Sequence, residues 1–172
     1  KYFKYDLKRP VAGQLDEIRP QLKDLVAMNK ALGIQGVYQN HSGSNYFGAP
    51  LWDLWLLFKE HPVEHLAVAL DTGHTTVEGT NSWPIQANLL RPHLGALYLK
   101  DYTWVENKKT LVPLGQGNVD SGYPRRLLKS GYTGPVNLHV EYLKPFSKEN
   151  VPRQIAAIKR DVGTLRKWLG WA

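Results

Sequence analysis

Residues 66–74 read Leu-Ala-Val-Ala-Leu-Asp-Thr-Gly-His, an apolar run that ends abruptly in polar residues and a glycine. A short, uninterrupted apolar run that a turn signal closes is typical of a strand buried on both faces, as in a parallel sheet. Segments with helical periodicity lie on both sides of this run and alternate with other short apolar runs along the chain. The alternation predicts β–α units and an α/β fold.

The same periodicity places the remaining elements. Gly33 follows the first helical stripe and is a good residue for ending a helix, because glycine adopts the left-handed conformation easily. The long segment 102–120 is predicted to be a loop. We predict helices at about 15–32, 50–60, 83–90, 123–129 and 151–168, and strands at about 34–40, 66–70, 94–100 and 136–141.

Two architectures satisfy this alternation, an open doubly wound sheet and a closed (β/α)₈ barrel. The open nucleotide-binding version usually carries a glycine-rich phosphate fingerprint after an early strand, and this sequence has none. The absence favours the barrel.

The composition limits which cellular compartments and which classes of binding partner are possible. The 172 residues are 42% hydrophobic with six Trp, nine Tyr and four Phe, enough for a packed core, and contain no cysteine. Disulfides and thiolate zinc sites are therefore excluded, and a reducing compartment fits. The net charge of +7 comes from scattered basic residues that form no stripe, and no apolar run approaches the ~20 residues of a membrane span. We expect neither nucleic acid nor a membrane as a partner.

Polar residues follow each predicted strand. In a barrel of this kind the functional groups lie at the C-terminal ends of the strands, so we expect these side chains to surround one mouth. Tyr46, Trp83, Tyr102 and Trp104 are candidate aromatics for stacking on a ligand there. The strand-end residues are Gln39, Asn40 and His41, then Asp71 with His74, then Tyr98, Lys100 and Asp101, and finally His139 with Glu141.

Each of these residues also has a simpler explanation. Asp71 could cap the turn that follows it, and His41 could cap its loop. Lys100 could form an ordinary ion pair with Asp101 or with Glu141. Taken singly, each simple explanation is the better one, but their joint occurrence at successive strand ends favours a functional site.

Five segments together resemble a known family. They are 38–41 (Tyr-Gln-Asn-His), 71–74 (Asp-Thr-Gly-His), 97–101 (Leu-Tyr-Leu-Lys-Asp), 113–117 (Pro-Leu-Gly-Gln-Gly) and 140–141 (Val-Glu). Their order and spacing resemble the xylose isomerase-like barrel superfamily, and within it the sugar phosphate isomerase/epimerase group, which includes ketose 3-epimerases and inosose isomerases and dehydratases. The resemblance covers about residues 14–168. It implies a (β/α)₈ TIM barrel of which this chain, as one domain over 1–172, holds about strands five to eight.

The resemblance also implies a chemistry. Family members typically hold one divalent metal, Mn²⁺, Mg²⁺ or Co²⁺, through two glutamates, an aspartate and a histidine, and move a proton beside a sugar carbonyl. Asp71 and Glu141 match the aspartate and the second glutamate, and Glu141 is also the implied acid/base. Lys100 could stabilise an enediolate. His74 matches a substrate-contacting histidine, and Asn40, His41, Tyr98 and His139 are further candidates for binding substrate.

Two positions depart from the family pattern. Gln39 stands where the first glutamate is expected, and a neutral amide can coordinate a metal but cannot act as a base. Tyr98 stands where the metal histidine is expected, and a phenol with a pKa of ~10 is a poor ligand for these ions. The metal site, with Asp71, Glu141 and Gln39 as its ligands, is thus expected to be weakened.

Two functions remain open. The first is an isomerase, epimerase or related lyase of carbohydrate metabolism, acting on a sugar or polyol. The second is a non-catalytic carbohydrate-binding barrel that has lost the metal. An apurinic-site endonuclease of the same superfamily is disfavoured, because such enzymes gather several metals with more histidines than this chain offers.

A closed barrel takes about 200 to 250 residues, and this chain starts at Lys1-Tyr2-Phe3 without a methionine. We therefore expect its partner to be the missing N-terminal half of the barrel or a second copy of the chain. The cytoplasm is the expected location. The periplasm is the alternative, because exported members with N-terminal signals exist in the group.

Overall fold

The computed structural model describes residues 2–144 and 147–171. Contacts divide the chain into two compact units, Lys1–Ala96 and Leu97–Ala172, and the boundary falls inside the third strand. The predicted α/β fold with parallel strands is confirmed in both units. Whether 1–172 forms one domain stays a prediction.

The first unit begins with a long helix, α1 (Val11–Leu32), followed by β1 (Gly36–Gln39), α2 (Trp52–Phe58), β2 (Leu66–Asp71), α3 (Thr72–Gly79) and α4 (Trp83–Leu90). A 3₁₀ turn at Arg91–His93 leads into β3 (Leu94–Leu99). β1 and β2 pair in parallel, with Gly36 opposite Leu66 and Gln39 opposite Ala69. Every residue of β2 is buried, as expected of a strand covered on both faces.

The second unit contains the end of β3 and the rest of the chain. Leu97–Leu99 pairs in parallel with β6 (Val136–Leu138). Between these strands lie a hairpin, β4 (Asp101–Val105) and β5 (Lys108–Val112), and a short helix, α5 (Tyr123–Lys129). A 3₁₀ turn at Lys148–Asn150 precedes the last helix, α6 (Val151–Leu169).

The predicted α4 and α5 have the observed bounds, and α1 ends as predicted at Gly33, which has a φ of 63°. The start of α1 is corrected, because the helix begins at Val11 directly after Pro10. Proline has the φ angle of a helix entry, so the chain turns helical there, before the apolar stripe begins.

The prediction of a loop over residues 102–120 is wrong for its first half. β4 and β5 pair antiparallel around a two-residue turn, Glu106 and Asn107, which both have positive φ (49° and 61°). Two successive residues with positive φ are the requirement of the turn type that joins tight hairpins, and asparagine tolerates that conformation.

Within the described ranges, none of the helices combines the length and the apolar character that crossing a membrane requires.

Candidate functional site

The strand-end residues form one cluster in each unit. We call the group around Asp71 in the first unit the Asp71 cluster; its members are Gln39, Asn40, His41, Ser42, Asp71 and His74. We call the group around Glu141 in the second unit the Glu141 cluster; its members are Tyr98, Lys100, His139 and Glu141.

Asp71 ends β2 and begins α3, and its carboxylate is fully buried. Its Oδ1 accepts a hydrogen bond from the backbone N–H of His74 (3.1 Å), which caps the helix. Its Oδ2 accepts a hydrogen bond from Gln39 Nε2 (2.8 Å). The capping role considered for Asp71 is thus confirmed, and it is combined with a direct side-chain contact to the neighbouring strand.

The orientation of the Gln39 amide is determined by this contact. An ionised carboxylate can only accept hydrogen bonds, so the amide must present its NH₂ group to Asp71. The Gln39 oxygen then lies on the other side and accepts a hydrogen bond from the Tyr2 hydroxyl (3.3 Å). Gln39 therefore directs its positive end, not its metal-binding oxygen, at Asp71.

Asn40 connects the ends of β1 and β2 through hydrogen bonds of its side chain. Its Oδ1 accepts from the Asp71 backbone N–H (2.7 Å), and its Nδ2 donates to Thr75 Oγ1 (3.2 Å). The side chain is fully buried. These contacts make Asn40 a support for Asp71, and its role in substrate binding stays a prediction.

Two imidazoles lie beside each other in the Asp71 cluster. The His41 and His74 ring centroids are 3.9 Å apart, and His41 also stacks on Tyr46 at 5.0 Å. Ser42 Oγ is 2.8 Å from His74 Nδ1, and His74 Nε2 is 3.8 Å from Asp71 Oδ2. Ser42 and Tyr2 were missed from the sequence, and the only available signal was that Ser42 follows the polar strand end directly.

In the Glu141 cluster, Lys100 is nearly fully buried, whereas the Glu141 side chain is 42% exposed. Lys100 Nζ lies 3.2 Å from Glu141 Oε2 and donates to it. His139 Nδ1 lies 3.6 Å from Glu141 Oε1, and the His139 ring tilts against Tyr98 with centroids 4.9 Å apart. The cluster thus presents an accessible carboxylate beside a desolvated ammonium.

The simpler explanation for Asp101 was an ion pair with Lys100. In the structure, backbone groups bind its carboxylate instead. The buried carboxylate accepts hydrogen bonds from four backbone N–H groups at 2.9–3.1 Å. The donors are Tyr102, Gly115, Gly117 and Val119. A side chain at Gly117 would overlap the Tyr102 carbonyl oxygen, so the close approach requires glycine. Asp101 therefore fixes the loop that follows β5.

Two of the four candidate stacking aromatics are wrongly predicted. Trp83 and Tyr102 are 4% and 3% exposed and belong to the core. Trp104 is 51% exposed on the hairpin, and Tyr46 is engaged by His41 and by Lys4, whose Nζ lies 4.5 Å from the ring centroid.

The donors present do not fit a divalent metal well. Over residues 2–144 and 147–171, no three His, Asp or Glu side chains are grouped so that they could hold one ion. Both Asp71 oxygens accept hydrogen bonds within the fold, and the neighbouring donor atom is the amide nitrogen of Gln39. A glutamate at position 39 would bring a second charge, and glutamine does not.

Comparison with known proteins supports the fold. The family model of the xylose isomerase-like TIM barrel matches residues 3–168. No curated protein matches the chain significantly.

Two epimerase-related crystal structures are similar in fold. A D-tagatose 3-epimerase-like protein has a TM-score of 0.68 at 16% identity, with 96% of this chain and 61% of that one covered. A 3-keto-D-glucoside 4-epimerase from E. coli has a TM-score of 0.68 at 17% identity, with 92% and 56% covered.

A third structure, a xylose isomerase-like TIM barrel protein from Mycobacterium smegmatis in complex with magnesium, has a TM-score of 0.59 at 15% identity, with 89% and 52% covered. The chain spans about three fifths of the length of the first of these structures, so it carries part of a barrel. At these identities the likeness establishes a common fold. The family match extends over nearly the whole chain, and the chain therefore belongs to the xylose isomerase-like TIM barrel family.

Proposed function

We propose that this chain is part of a sugar or polyol isomerase or epimerase in which Glu141 moves a proton beside a carbonyl group. The observation that carries the proposal is the Glu141 cluster, in which an accessible carboxylate lies 3.2 Å from the buried Lys100 ammonium. A base and a cation at that spacing can act on neighbouring substrate atoms. The kinship with a family that includes sugar epimerase structures supports the substrate class.

The step that these residues would perform is a proton transfer. The Glu141 carboxylate takes the proton from the carbon next to the carbonyl, and the electron pair moves onto the carbonyl oxygen to give an enediolate. The Lys100 ammonium stabilises that developing negative charge, since its own desolvation strengthens the interaction. Protonated Glu141 then gives the proton to the former carbonyl carbon, while the proton of the neighbouring hydroxyl group passes to the former carbonyl oxygen, which completes an isomerisation.

No step is assigned to a metal, because the donors around Asp71 do not fit one. The Asp71 cluster offers instead two imidazoles and a hydroxyl, the groups that hydrogen-bond sugar hydroxyls. We assign His41 and His74 to substrate binding on this basis.

The proton transfer can be tested without knowing the sugar. The intact protein is incubated with a panel of ketoses and ketose phosphates in D₂O, and deuterium at the carbon beside the carbonyl is followed by NMR. We expect exchange with at least one sugar, reduced at least 100-fold in Glu141→Gln. The matched control is Glu149→Gln, a solvent-exposed glutamate that should leave exchange unchanged.

A second candidate is a carbohydrate-binding barrel without catalysis. The hydrogen bond between Gln39 and Asp71 favours it, because it satisfies a carboxylate that would otherwise hold a metal. Sugar binding by calorimetry together with no exchange for any sugar would select this candidate and contradict the first.

A further inference from the structure

The second unit contains a pocket outside both clusters. It is bounded by the segment that follows β6, by one residue after β5 and by the first half of α6, and its volume is about 520 Å³. That volume is in the range of small-molecule sites. We call it the arginine pocket; its lining residues are Pro113, Tyr142, Leu143, Arg153, Ala156, Ala157 and Arg160.

The side chains of the arginine pocket divide by chemistry. Four of its lining residues are small or apolar, one is Tyr142, and its two charged members are both arginines. Arg153 and Arg160 are seven residues apart on α6, so they lie on the same side of the helix. The first turn of α6 contains Arg153 and no acidic residue, so the positive end of the helix dipole adds to the field of Arg153. Asp161 forms an ion pair with Arg160, so the net positive charge at the pocket comes from Arg153, and a positively charged pocket favours an anion.

Arg160 is held in a fixed position. Its Nε donates to Asp161 Oδ1 (3.1 Å) and its Nη2 to the Tyr142 hydroxyl (2.5 Å). Tyr142 in turn donates to Asp161 Oδ2 (2.8 Å), and Asp161 is 1% exposed. Burial and the bond to Asp161 raise the pKa of Tyr142 to about 12, so the phenol stays a donor. The network leaves the Nη1 group of Arg160 without a partner in the part of the chain that the structure describes.

Arg153 is exposed and has no ion pair or hydrogen bond with any residue of the described ranges 2–144 and 147–171. One oriented and one unpaired guanidinium at a pocket are suited to bidentate recognition of a phosphate or a carboxylate.

We propose that the arginine pocket binds the anionic group of a phosphorylated or acidic sugar. The sugar part of this inference rests on the proposed function, whereas the anion part rests on the pocket alone. The position supports a role in substrate selection, because Tyr142 and Leu143 follow the C-terminal end of β6, the end of the strands at which barrels of this architecture bind ligands.

The test is calorimetric titration of the intact protein with inorganic phosphate, glycerol 3-phosphate, glycerate and glycerol. We expect binding of an anion and none of neutral glycerol. Preference for glycerol 3-phosphate over glycerate identifies a phosphorylated ligand, and the reverse identifies an acidic sugar. Arg153→Met should weaken the preferred anion at least tenfold, and Arg160→Lys should weaken it less.

The matched control is Arg166→Met, which removes the same charge from an exposed position of α6 away from the pocket. If Arg166→Met weakens anion binding as much as Arg153→Met does, the effect comes from the overall charge of the protein and not from the pocket, and the proposal is wrong. The proposal is also wrong if the wild type binds no anion. Thermal melts of each variant check folding. Because titration needs no catalysis, anion binding without deuterium exchange would keep the arginine pocket and remove the proton transfer.

Discussion

Gln39 is the residue that separates this chain most clearly from the family pattern. Its amide donates to Asp71 at 2.8 Å, at the position where the resemblance implies a metal-binding glutamate. This hydrogen bond satisfies one oxygen of the buried carboxylate without an ion. Replacing Gln39 by glutamate should therefore make this position favour a bound metal.

We expect Gln39→Glu to lower the melting temperature of the metal-free protein, because two carboxylates would then lie within hydrogen-bond distance of each other. Mn²⁺ should relieve the repulsion, raise the melting temperature and bind at least tenfold more tightly than to the wild type, about 1.4 kcal/mol. Calorimetry and thermal melts measure both effects. Gln21→Glu, the same change on the exposed side of α1, is the control. Equal Mn²⁺ binding by the wild type and Gln39→Glu would contradict the interpretation.

Asp53 is a second buried carboxylate, on α2, and it accepts hydrogen bonds from the Tyr5 hydroxyl (2.8 Å) and the Gly48 backbone N–H. Burial raises its pKa from 3.8 to about 6. Between these values the folded state keeps a proton that the unfolded state has lost. The contribution of Asp53 to stability therefore falls as the pH rises from about 4 to about 6 and is constant above that.

Asp53→Asn removes this titration. Between pH 4 and pH 7 the unfolding free energy of the wild type should fall relative to that of the variant by about 2.4 kcal/mol, since one pKa unit corresponds to about 1.4 kcal/mol. Urea denaturation at a series of pH values measures it. The exposed Asp24→Asn should show no such shift, and a pH-independent difference for Asp53→Asn would refute the assignment.

At the scale of elements, sequence periodicity located helices and strands wherever the apolar pattern was long. It missed the hairpin β4–β5, because the signal is only a two-residue turn between short strands. Met28 and Leu32 lie four residues apart near the end of α1, as an apolar helical stripe requires, and yet they are 52% and 64% exposed. A helical period identifies an apolar face but does not say whether the chain itself covers that face.

The site was predictable to the same degree. The strand-end residues are predictable because successive parallel strands end in polar groups, and the opposite charges of Lys100 and Glu141 predict their contact. The direction of the Gln39 amide and the cage around Asp101 depend on atomic contacts between distant segments, which residue types do not encode singly.

The loop after β5 depends on one carboxylate. In Asp101→Asn the amide NH₂ must face one pair of the backbone N–H donors, because each carboxylate oxygen accepts two of them. We expect a loss of stability on the order of 3 kcal/mol. The hydrogen-exchange rates of the backbone N–H groups of Gly115, Gly117 and Val119 should increase in the same variant.

Asp120→Asn is the comparison for this loop. Asp120 also accepts a backbone N–H, that of Gly122, but it is partly exposed and its other partner is Arg126 on the surface. The loss of stability in Asp120→Asn should be smaller than in Asp101→Asn, and hydrogen exchange at the Gly115 backbone N–H should stay unchanged. An equal effect of both substitutions would show that the cage has no special role.

At the scale of the whole chain, the notable feature is apolar surface on α6. Val151, Ile155, Ile158 and Val162 are 44%, 48%, 46% and 38% exposed. Their spacing of four, three and four residues puts them on one stripe of the helix. An exposed stripe of this kind is typical of a surface that another chain or another part of a barrel covers.

We expect the 172-residue chain to bury this stripe by association with a second copy. Sedimentation over a concentration series should show a species larger than a monomer, and Ile155→Ser with Ile158→Ser should weaken its formation at least tenfold, because both substitutions remove apolar area from the contact. Lys159→Ser, an exposed neighbour that is not part of the stripe, should have no effect. A monomer at every concentration, or equal weakening by Lys159→Ser, would mean that this stripe makes no contact between copies and that only further elements of a barrel cover it.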